Sequence, residues 1–449
     1  MPKPYSRPRA ARFLRGLPLL AALTACVGRG PSAVSPQEAP DLAARLQKDP
    51  GNPDLLVRYA AALFAGGTCD SAQAVARRAI GARPADAVPV MILGQCQERA
   101  GEYDRGIATY DTYLATYSKG NGAPAVRARQ LLARRDQATS MARRALIQEQ
   151  QLAQQPGDAL TIAILPLQIV GDSSYQPLSR GLAQMMISDI AVLNRYRLVE
   201  RLQIGALLDE MKFNQGTRVD PATAARVGRL IQAGRIVQGL ATIPASGPVR
   251  LEASVVERTG EVVNAQQVNG QMRDLLRLEK DLVVSVVTRL GYTLSQAERQ
   301  AILENGTQNL QAFLAYSRGL LAEDAGDFSR AALYFSDAVQ ADPGFQAARD
   351  QQQAAAAAPA VQSAQGGQVA VVVSQTGQQA QSDAGAGPGA LQSGVSDLAG
   401  QTSEQTAPSS TNTGGQSTVT TTSAPPPTTT GQGTTSTATG TVTIRFRVP

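Results

Sequence analysis

The stretch RYRLVERLQIGALLDEM, residues 195–211, begins like a buried strand and becomes helical at Glu200 and Arg201, with no turn residue between the two elements. Its apolar residues then recur with the spacing of one helix face, at Ile204, Leu207, Leu208 and Met211. A charged pair at a strand end is either a candidate catalytic site or the start of a helix. Because Glu200 lies where the first helical amides lack partners, we expect its carboxylate to cap the helix.

The residues before this stretch also alternate between strand and helix patterns. TIAILPLQI, residues 161–169, is an apolar run rich in β-formers, and residues 177–193 predict an amphipathic helix. A strand, a helix and a second strand at residues 196–200 predict a parallel pair joined by a right-handed crossover.

The residues after it predict the rest of an α/β domain. Asp220 is placed as an N-cap, with Pro221 at the first helical position. Three strands of an antiparallel meander are expected at residues 235–243, 249–257 and 261–270. A helix from Met272 to Leu290 closes the domain, which we place at residues 160–298.

The composition excludes the commonest catalytic chemistry. The 449-residue chain contains no histidine, so neither a Ser-His-Asp triad nor a His-ligated zinc is possible. The formal net charge of +6 comes mostly from five basic residues within residues 1–25, so nucleic acid is not an expected partner. Since no polar cluster has the spacing of a catalytic, cofactor or metal site, we expect no enzyme activity.

Residues 1–25 have the organisation of an export signal. A basic region precedes the short apolar run GLPLLAALTA, and the four residues LTAC resemble the lipobox of bacterial lipoproteins. The resemblance implies cleavage before Cys26 and lipidation of its thiol, with residues 26–52 as a tether. The alternative is an ordinary signal peptide with a chance cysteine. Val27 after the cysteine implies an outer-membrane, periplasm-facing location.

The chain matches itself at a spacing of 34 residues. Residues 53–86 align with residues 87–120, and residues 312–345 form a third copy. Small and large residues recur at equivalent places, in a pattern that resembles tetratricopeptide repeats, which are stacked helical hairpins. Residues 53–120 therefore hold two predicted repeats and residues 299–350 a third.

Residues 121–159 are expected to form a helix that caps the two N-terminal repeats. Its arginines include Arg134, Arg135, Arg143 and Arg144. They could attract an anionic partner or form a solvated helix face, and a solvated face is the commoner case.

Two cysteines remain if Cys26 is lipidated. By the alignment, Cys69 starts the second helix of the first repeat and Cys96 lies in the first helix of the second. These helices pack together in such repeats, and an even number of cysteines in an exported protein favours a disulfide. Two buried free thiols are the alternative.

The α/β part resembles a known family. The segments that carry the resemblance are, in chain order, IAILPL, LSRGLAQMMISDI, LVERLQIGALLDEM and VDPATAARVGRLIQAGRIVQGLATI. They are similar to the CsgG-type domain of bacterial envelope lipoproteins, a family that includes the curli-secretion component and has related folds in activators of penicillin-binding proteins. The resemblance implies that the domain is not an enzyme and that Glu200 and Arg201 hold the strand-helix junction together.

The curli component is a ring-forming channel whose protomers add long β-hairpins to a common barrel. Such strands need about 9–11 residues of alternating polarity, with aromatic residues at the membrane interfaces. Residues 236–270 have only enough length for the meander and contain no aromatic residue. The sequence therefore disfavours a pore and leaves homo-oligomerisation open.

Residues 351–449 are low in complexity and are predicted to be mostly disordered. Within them QVAVVVSQ, residues 368–375, predicts a single strand. TVTIRFRVP, residues 441–449, alternates like a strand that could add to the edge of a partner's sheet, the alternative being a loosely ordered tail.

The combined prediction is a mixed α/β CsgG-like domain flanked by all-α tetratricopeptide hairpins and followed by a disordered tail. Its expected function is that of a lipid-anchored periplasmic adaptor, which binds other proteins through the repeats and the membrane through Cys26. A curli-type channel subunit and a regulator of a cell-wall synthase are the alternatives. No cofactor is expected.

Overall fold

The computed structural model describes residues 31–212 and 220–385. Seven helices come first in the described chain. They are α1 (Ala39–Lys48), α2 (Pro53–Ala65), α3 (Cys69–Ala82), α4 (Ala87–Arg99), α5 (Tyr103–Tyr117), α6 (Ala123–Ile147) and α7 (Glu149–Gln154). Both predicted N-terminal repeats are thus pairs of helices, α2 with α3 and α4 with α5.

In two of the three helical pairs the helices approach closely because a glycine faces an aromatic ring. A Cβ atom on Gly94 would lie 2.3 Å from the ring of Tyr110, which is fully buried. The same contact recurs in the third predicted repeat, where a Cβ atom on Gly319 would lie 2.4 Å from Phe335. Such contacts hold only where the residue has no side chain, so the small-large pattern in the sequence reports helix packing.

A mixed sheet of six strands follows the first helices. The strands are β1 (Asp158–Ile164), β2 (Gln168–Gly171), β3 (Arg197–Leu198), β4 (Ala233–Ile243), β5 (Val249–Glu257) and β6 (Val262–Gly270). Their order is β3-β1-β4-β5-β6, and β2 pairs with β4 beyond the end of β1. β1, β2 and β3 are parallel to their neighbours, whereas β4, β5 and β6 form the predicted antiparallel meander.

The single strand predicted at residues 161–169 is in fact two strands. β1 ends at Ile164 and β2 begins at Gln168, and both pair with β4. Pro166 lies between them and has no amide hydrogen to give to the ladder, which accounts for the break.

Helices cover both faces of the sheet. They are α8 (Leu178–Ala191), α9 (Arg201–Glu210), α10 (Pro221–Leu230) and α11 (Leu275–Arg289). α8 and α11 bury one face with strand residues such as Val237 and Leu251, and α9 and α10 bury the other with Ile236 and Val256. The expected N-cap is present, because the Asp220 side chain accepts a hydrogen bond from the amide of Thr223.

Five helices complete the described chain. They are α12 (Gln296–Glu304), α13 (Leu310–Asp324), α14 (Phe328–Ala341), α15 (Gln346–Ser363) and α16 (Val369–Gly385). α13 and α14 are the pair at the third predicted repeat. α15 packs between α14 and α6, so it joins this pair to the N-terminal helices.

The prediction of disorder from residue 351 onward is wrong for residues 351–363 and 369–385, which form α15 and α16. Alanines of α15 and the side chain of Val361 are buried in the core of the N-terminal helices. Residues 368–375 are mostly helical and not a strand, because docking buries Val369 and Val372 on one helix face. Residues 1–30, with Cys26, and residues 386–449, with the strand-like segment 441–449, lie outside the described residues.

The helix after the second repeat contacts that repeat, as expected of a cap, but it also contacts other elements. α6 packs against α4 and α5 on one side and against α9 and α15 on others. α6 therefore lies between the N-terminal helical pairs, the α/β domain and α15. No helix within residues 31–212 and 220–385 is long and apolar enough to cross a bilayer.

Candidate functional site

Arg201 joins the α/β domain to the third pair of helices. It is the first residue of α9, and its side chain is 7% exposed. Its Nη2 atom lies 3.0 Å from Oε1 of Glu323, and its Nη1 atom donates a hydrogen bond to Oδ1 of Asp324. Both acids are at the C-terminal end of α13, so this contact fixes α13 against α9.

Two further arginines contact the same helix end. Arg180 of α8 lies 2.6 Å from Oδ2 of Asp324, and Arg135 of α6 donates to the backbone carbonyls of Glu323 and Asp324. We call these five residues the junction cluster. Cations are stabilised at a helix C-terminus, where the last carbonyl groups lack helical partners. The cluster thus ties four helices, α6, α8, α9 and α13, at one point.

Burial and ion pairing act in opposite directions on the pKa values of Glu323 and Arg201. It raises the pKa of Glu323 to about 7, against the opposing effect of Arg201. For Arg201, burial alone would lower the pKa, but the carboxylates of Asp324 and Glu323 outweigh it and raise the pKa overall. Nε of Arg201 and Oε2 of Glu323 have no hydrogen-bond partner among the described residues. The pair is therefore a tight but incompletely satisfied ionic contact.

Glu200 does not cap α9 as expected. It occupies the N-cap position, but its side chain makes no capping hydrogen bond. Its carboxylate instead pairs with Arg134 of α6, which also lies 3.3 Å from Asp111 of α5. The charged pair at the strand end thus links this turn to neighbouring helices, since Glu200 contacts α6 and Arg201 contacts α13.

Only part of the arginine set of α6 matches the solvated face expected from the sequence, since Arg143 and Arg144 are exposed whereas Arg134 and Arg135 are not. Arg134 and Arg135 bind within the chain as described, and Arg143 pairs with Glu210 of α9 at 2.8 Å. Arg144 donates to the carbonyl of Ser140 in its own helix. Three of the four arginines therefore hold other elements against α6.

A polar cleft of about 650 Å³ opens beside the junction cluster, between α5, α6, α9 and α15. Its lining includes Arg127, Arg134 and Arg201 together with Asp111, Glu200, Glu323 and Asp350. Each of these arginines is paired with acids of the same lining. The cleft thus has little excess charge to attract an anion. In the part of the chain that is described, no group of three or more acids or cysteines could hold a metal ion.

A second buried charge cluster ties α8 to α11 inside the α/β domain. Lys280 is 1% exposed, and its Nζ atom lies 2.6 and 2.7 Å from the carboxylate oxygens of Asp189 and 2.8 Å from the carbonyl of Asn305. Burial, with a contribution from Asp189, raises the pKa of Glu279 well above its usual range.

Sequence analysis missed this cluster, although a signal was present. Lys280 falls on the apolar face of α11, four residues after Leu276 and three before Val283. A charged residue on such a face is rarely buried without a partner, so it predicts a buried acid nearby.

A disulfide joins Cys69 at the start of α3 to Cys96 in α4, with the Cα atoms 5.3 Å apart. It links the first pair of helices to the second. A groove beside these pairs is bordered by α2 and residue 121, and α16 lies in it against α4, α6 and α15.

The fold and these contacts define a mixed α/β domain held within a scaffold of helical pairs. A family model described as "Curli production assembly/transport component CsgG" matches residues 145–243, from the end of α6 through β4. This match confirms the CsgG-type part of the resemblance, over a shorter range than predicted. No curated protein matches the chain. The assignment of the helical pairs to tetratricopeptide repeats stays a prediction from the residue pattern.

Proposed function

We propose that the protein is a lipid-anchored, periplasm-facing adaptor in envelope assembly or secretion. The observation that carries the proposal is the match to the curli assembly and transport model within a scaffold of helical pairs. An anchor at Cys26 would hold the scaffold at the membrane. Confinement there would raise the effective concentration of whatever protein the scaffold binds.

The ion pairs between the parts support an adaptor that acts as one rigid body. The junction cluster joins α9 to α13, and Arg127 of α6, itself 8% exposed, pairs with Asp350 of α15 at 2.8 Å. Contacts of this kind keep the helical surfaces in fixed positions relative to the α/β domain. A fixed surface loses less conformational entropy when a partner binds.

A channel subunit of curli type is the second candidate, favoured only by the family match. β4, β5 and β6 pair with one another in the sheet, and their connections are confined to residues 244–248 and 258–261. These connections have no room for long membrane hairpins, so the adaptor ranks first. A regulator of a cell-wall synthase is the third candidate, and it would be distinguished by a stable complex with a synthase.

Light scattering of the detergent-extracted, acylated protein tests the first two candidates. A monomer or small oligomer that gives no conductance after reconstitution into liposomes would support the adaptor. A large ring that conducts ions would overturn it in favour of the channel. The Cys26→Ser variant is the matched control for the anchor, and we expect it to be released from the membrane fraction.

A further inference from the structure

α16 packs against α4, α6 and α15, in a groove that α2 borders on one side. At its N-terminal end the amide of Val34 donates to the carbonyl of Gly367 at 2.9 Å. At its other end Nε2 of Gln381 donates to Oδ1 of Asn121 at 2.7 Å. Between these contacts Val369, Val372 and Thr376 are buried. The segment is thus bound at both ends and along one face.

Two glycines permit this contact, and no other residue would fit at either position. A Cβ atom on Gly367 would lie 2.1 Å from the carbonyl oxygen of Val34, and one on Gly377 would lie 2.4 Å from that of Asn121. Gly377 is inside a helix, where glycine is unfavourable for helix formation. Its presence there serves the contact with Asn121 and not the helix.

The segment has little helix-forming tendency of its own. VAVVVSQTG, residues 369–377, is rich in β-branched residues, and residues 366–382 contain no charge. Most helical stability in proteins comes from packing of one face and not from helix propensity. α16 therefore depends on the groove for its helical state.

The groove is not completely filled by α16. A cavity of about 530 Å³ remains between them, lined by Asp54, Arg58 and Asp86 on the groove side. Ser374, Gln378 and Gln381 line it on the side of α16. The contact is thus partly polar and incompletely filled, unlike a permanent core.

We propose that the groove is a receptor for an uncharged, valine-rich helical segment with a glycine facing Asn121. α16 is its built-in occupant, which a partner's helix of the same chemistry has to displace. The inference deepens the proposed adaptor function and rests on it for the existence of that partner. The docking of α16 itself is tested independently.

Hydrogen exchange of the full-length protein tests the docking. In Gly377→Leu the new side chain collides with Asn121, and we expect residues 366–385 to exchange about tenfold faster or more than in the wild type. Leucine raises helix propensity, so faster exchange reports loss of docking and not a weaker helix. Gln375→Leu, on the exposed side of α16, is the matched control and should exchange like the wild type.

A peptide of residues 366–385, labelled for fluorescence anisotropy, tests the receptor. It should bind the Gly377→Leu protein and bind the wild type about a hundredfold more weakly, because the tethered copy competes at a high effective concentration. The same peptide with Gly377→Leu should bind neither protein. If the protein variant loses protection in α2 and α4 as well, Gly367→Leu replaces it as the undocking variant.

Unchanged exchange in both glycine variants, or no peptide binding to an undocked protein with intact α2 and α4, would overturn the inference. Neither result depends on the adaptor function. A conducting ring in the light-scattering and liposome experiment would overturn the adaptor while the docking of α16 stood.

Discussion

Replacing Arg201 with methionine tests whether the junction cluster holds the α/β domain against the helical scaffold. Methionine keeps much of the apolar stem but leaves Glu323, which has no exposed surface, without its cationic partner. Removing one member of a buried ion pair costs about 3–5 kcal/mol of unfolding free energy. We therefore expect Arg201→Met to be strongly destabilising, although Asp324 keeps its contact with Arg180.

The assay is urea unfolding followed by circular dichroism and by tyrosine fluorescence, since the chain has 11 tyrosines and no tryptophan. Arg197→Met is the control, because Arg197 is 76% exposed and pairs with an acid at the surface. Its unfolding midpoint should stay close to that of the wild type. The double variant Arg201→Met/Glu323→Gln should recover at least about 1 kcal/mol relative to the sum of the two single variants. Equal midpoints for Arg201→Met and Arg197→Met would refute the reasoning.

The remaining predictions concern single contacts. The folded-state pKa of Glu323, about 7, is above its ordinary value of 4.5, so its contribution to stability is full at low pH and is lost as the pH rises through 7. Raising the pH from about 5.5 to 7.5 should therefore cost about 2 kcal/mol through Glu323, and in urea titrations Glu323→Gln should reduce the pH dependence of the wild type by this amount. Reducing the Cys69–Cys96 disulfide, whose cysteines are 27 residues apart, should lower the unfolding free energy by about 3.5 kcal/mol in the chain-entropy model, and Cys69→Ala/Cys96→Ala should not respond to reductant. Gly94→Ala should destabilise by about 1–3 kcal/mol because a buried tyrosine ring has to move. Gly81→Ala, at an open helical position, is its control and should be neutral or stabilising by up to about 1 kcal/mol. Thermal unfolding of the two variants and the wild type measures both effects.

The order of strands and helices in the α/β domain could be predicted because its signals are local. The alternation of apolar residues gave β5 and β6, and Asp220 with Pro221 marked the start of α10. The recurrence of small and large residues around Gly94 and Gly319 predicted the helical pairs. The strand and cap signals involve near neighbours in the sequence, and even the paired Gly94 and Tyr110 belong to two consecutive helices.

The partners of Arg201 could not be predicted, because Asp324 is 123 residues away in the sequence. Nothing in the pattern around Arg201 distinguishes a buried ion pair from a helix start. α16 was missed for a related reason. Its valines favour a strand in isolation, and only the groove, built from residues more than 200 positions earlier, makes the helix the better state.

The contact between α6 and α15 has a consequence for the time course of folding. Arg127 donates to Gln353, which follows it by 226 residues, and α16 arrives later still. During synthesis α4 and α6 are therefore made before α15 and α16, and the apolar sides that these later helices cover are at first exposed. Closing so long a loop is slow compared with forming the helical pairs, so folding should end with the docking of α15 and α16. A nascent chain is then prone to aggregate, and a holding chaperone would act during that interval.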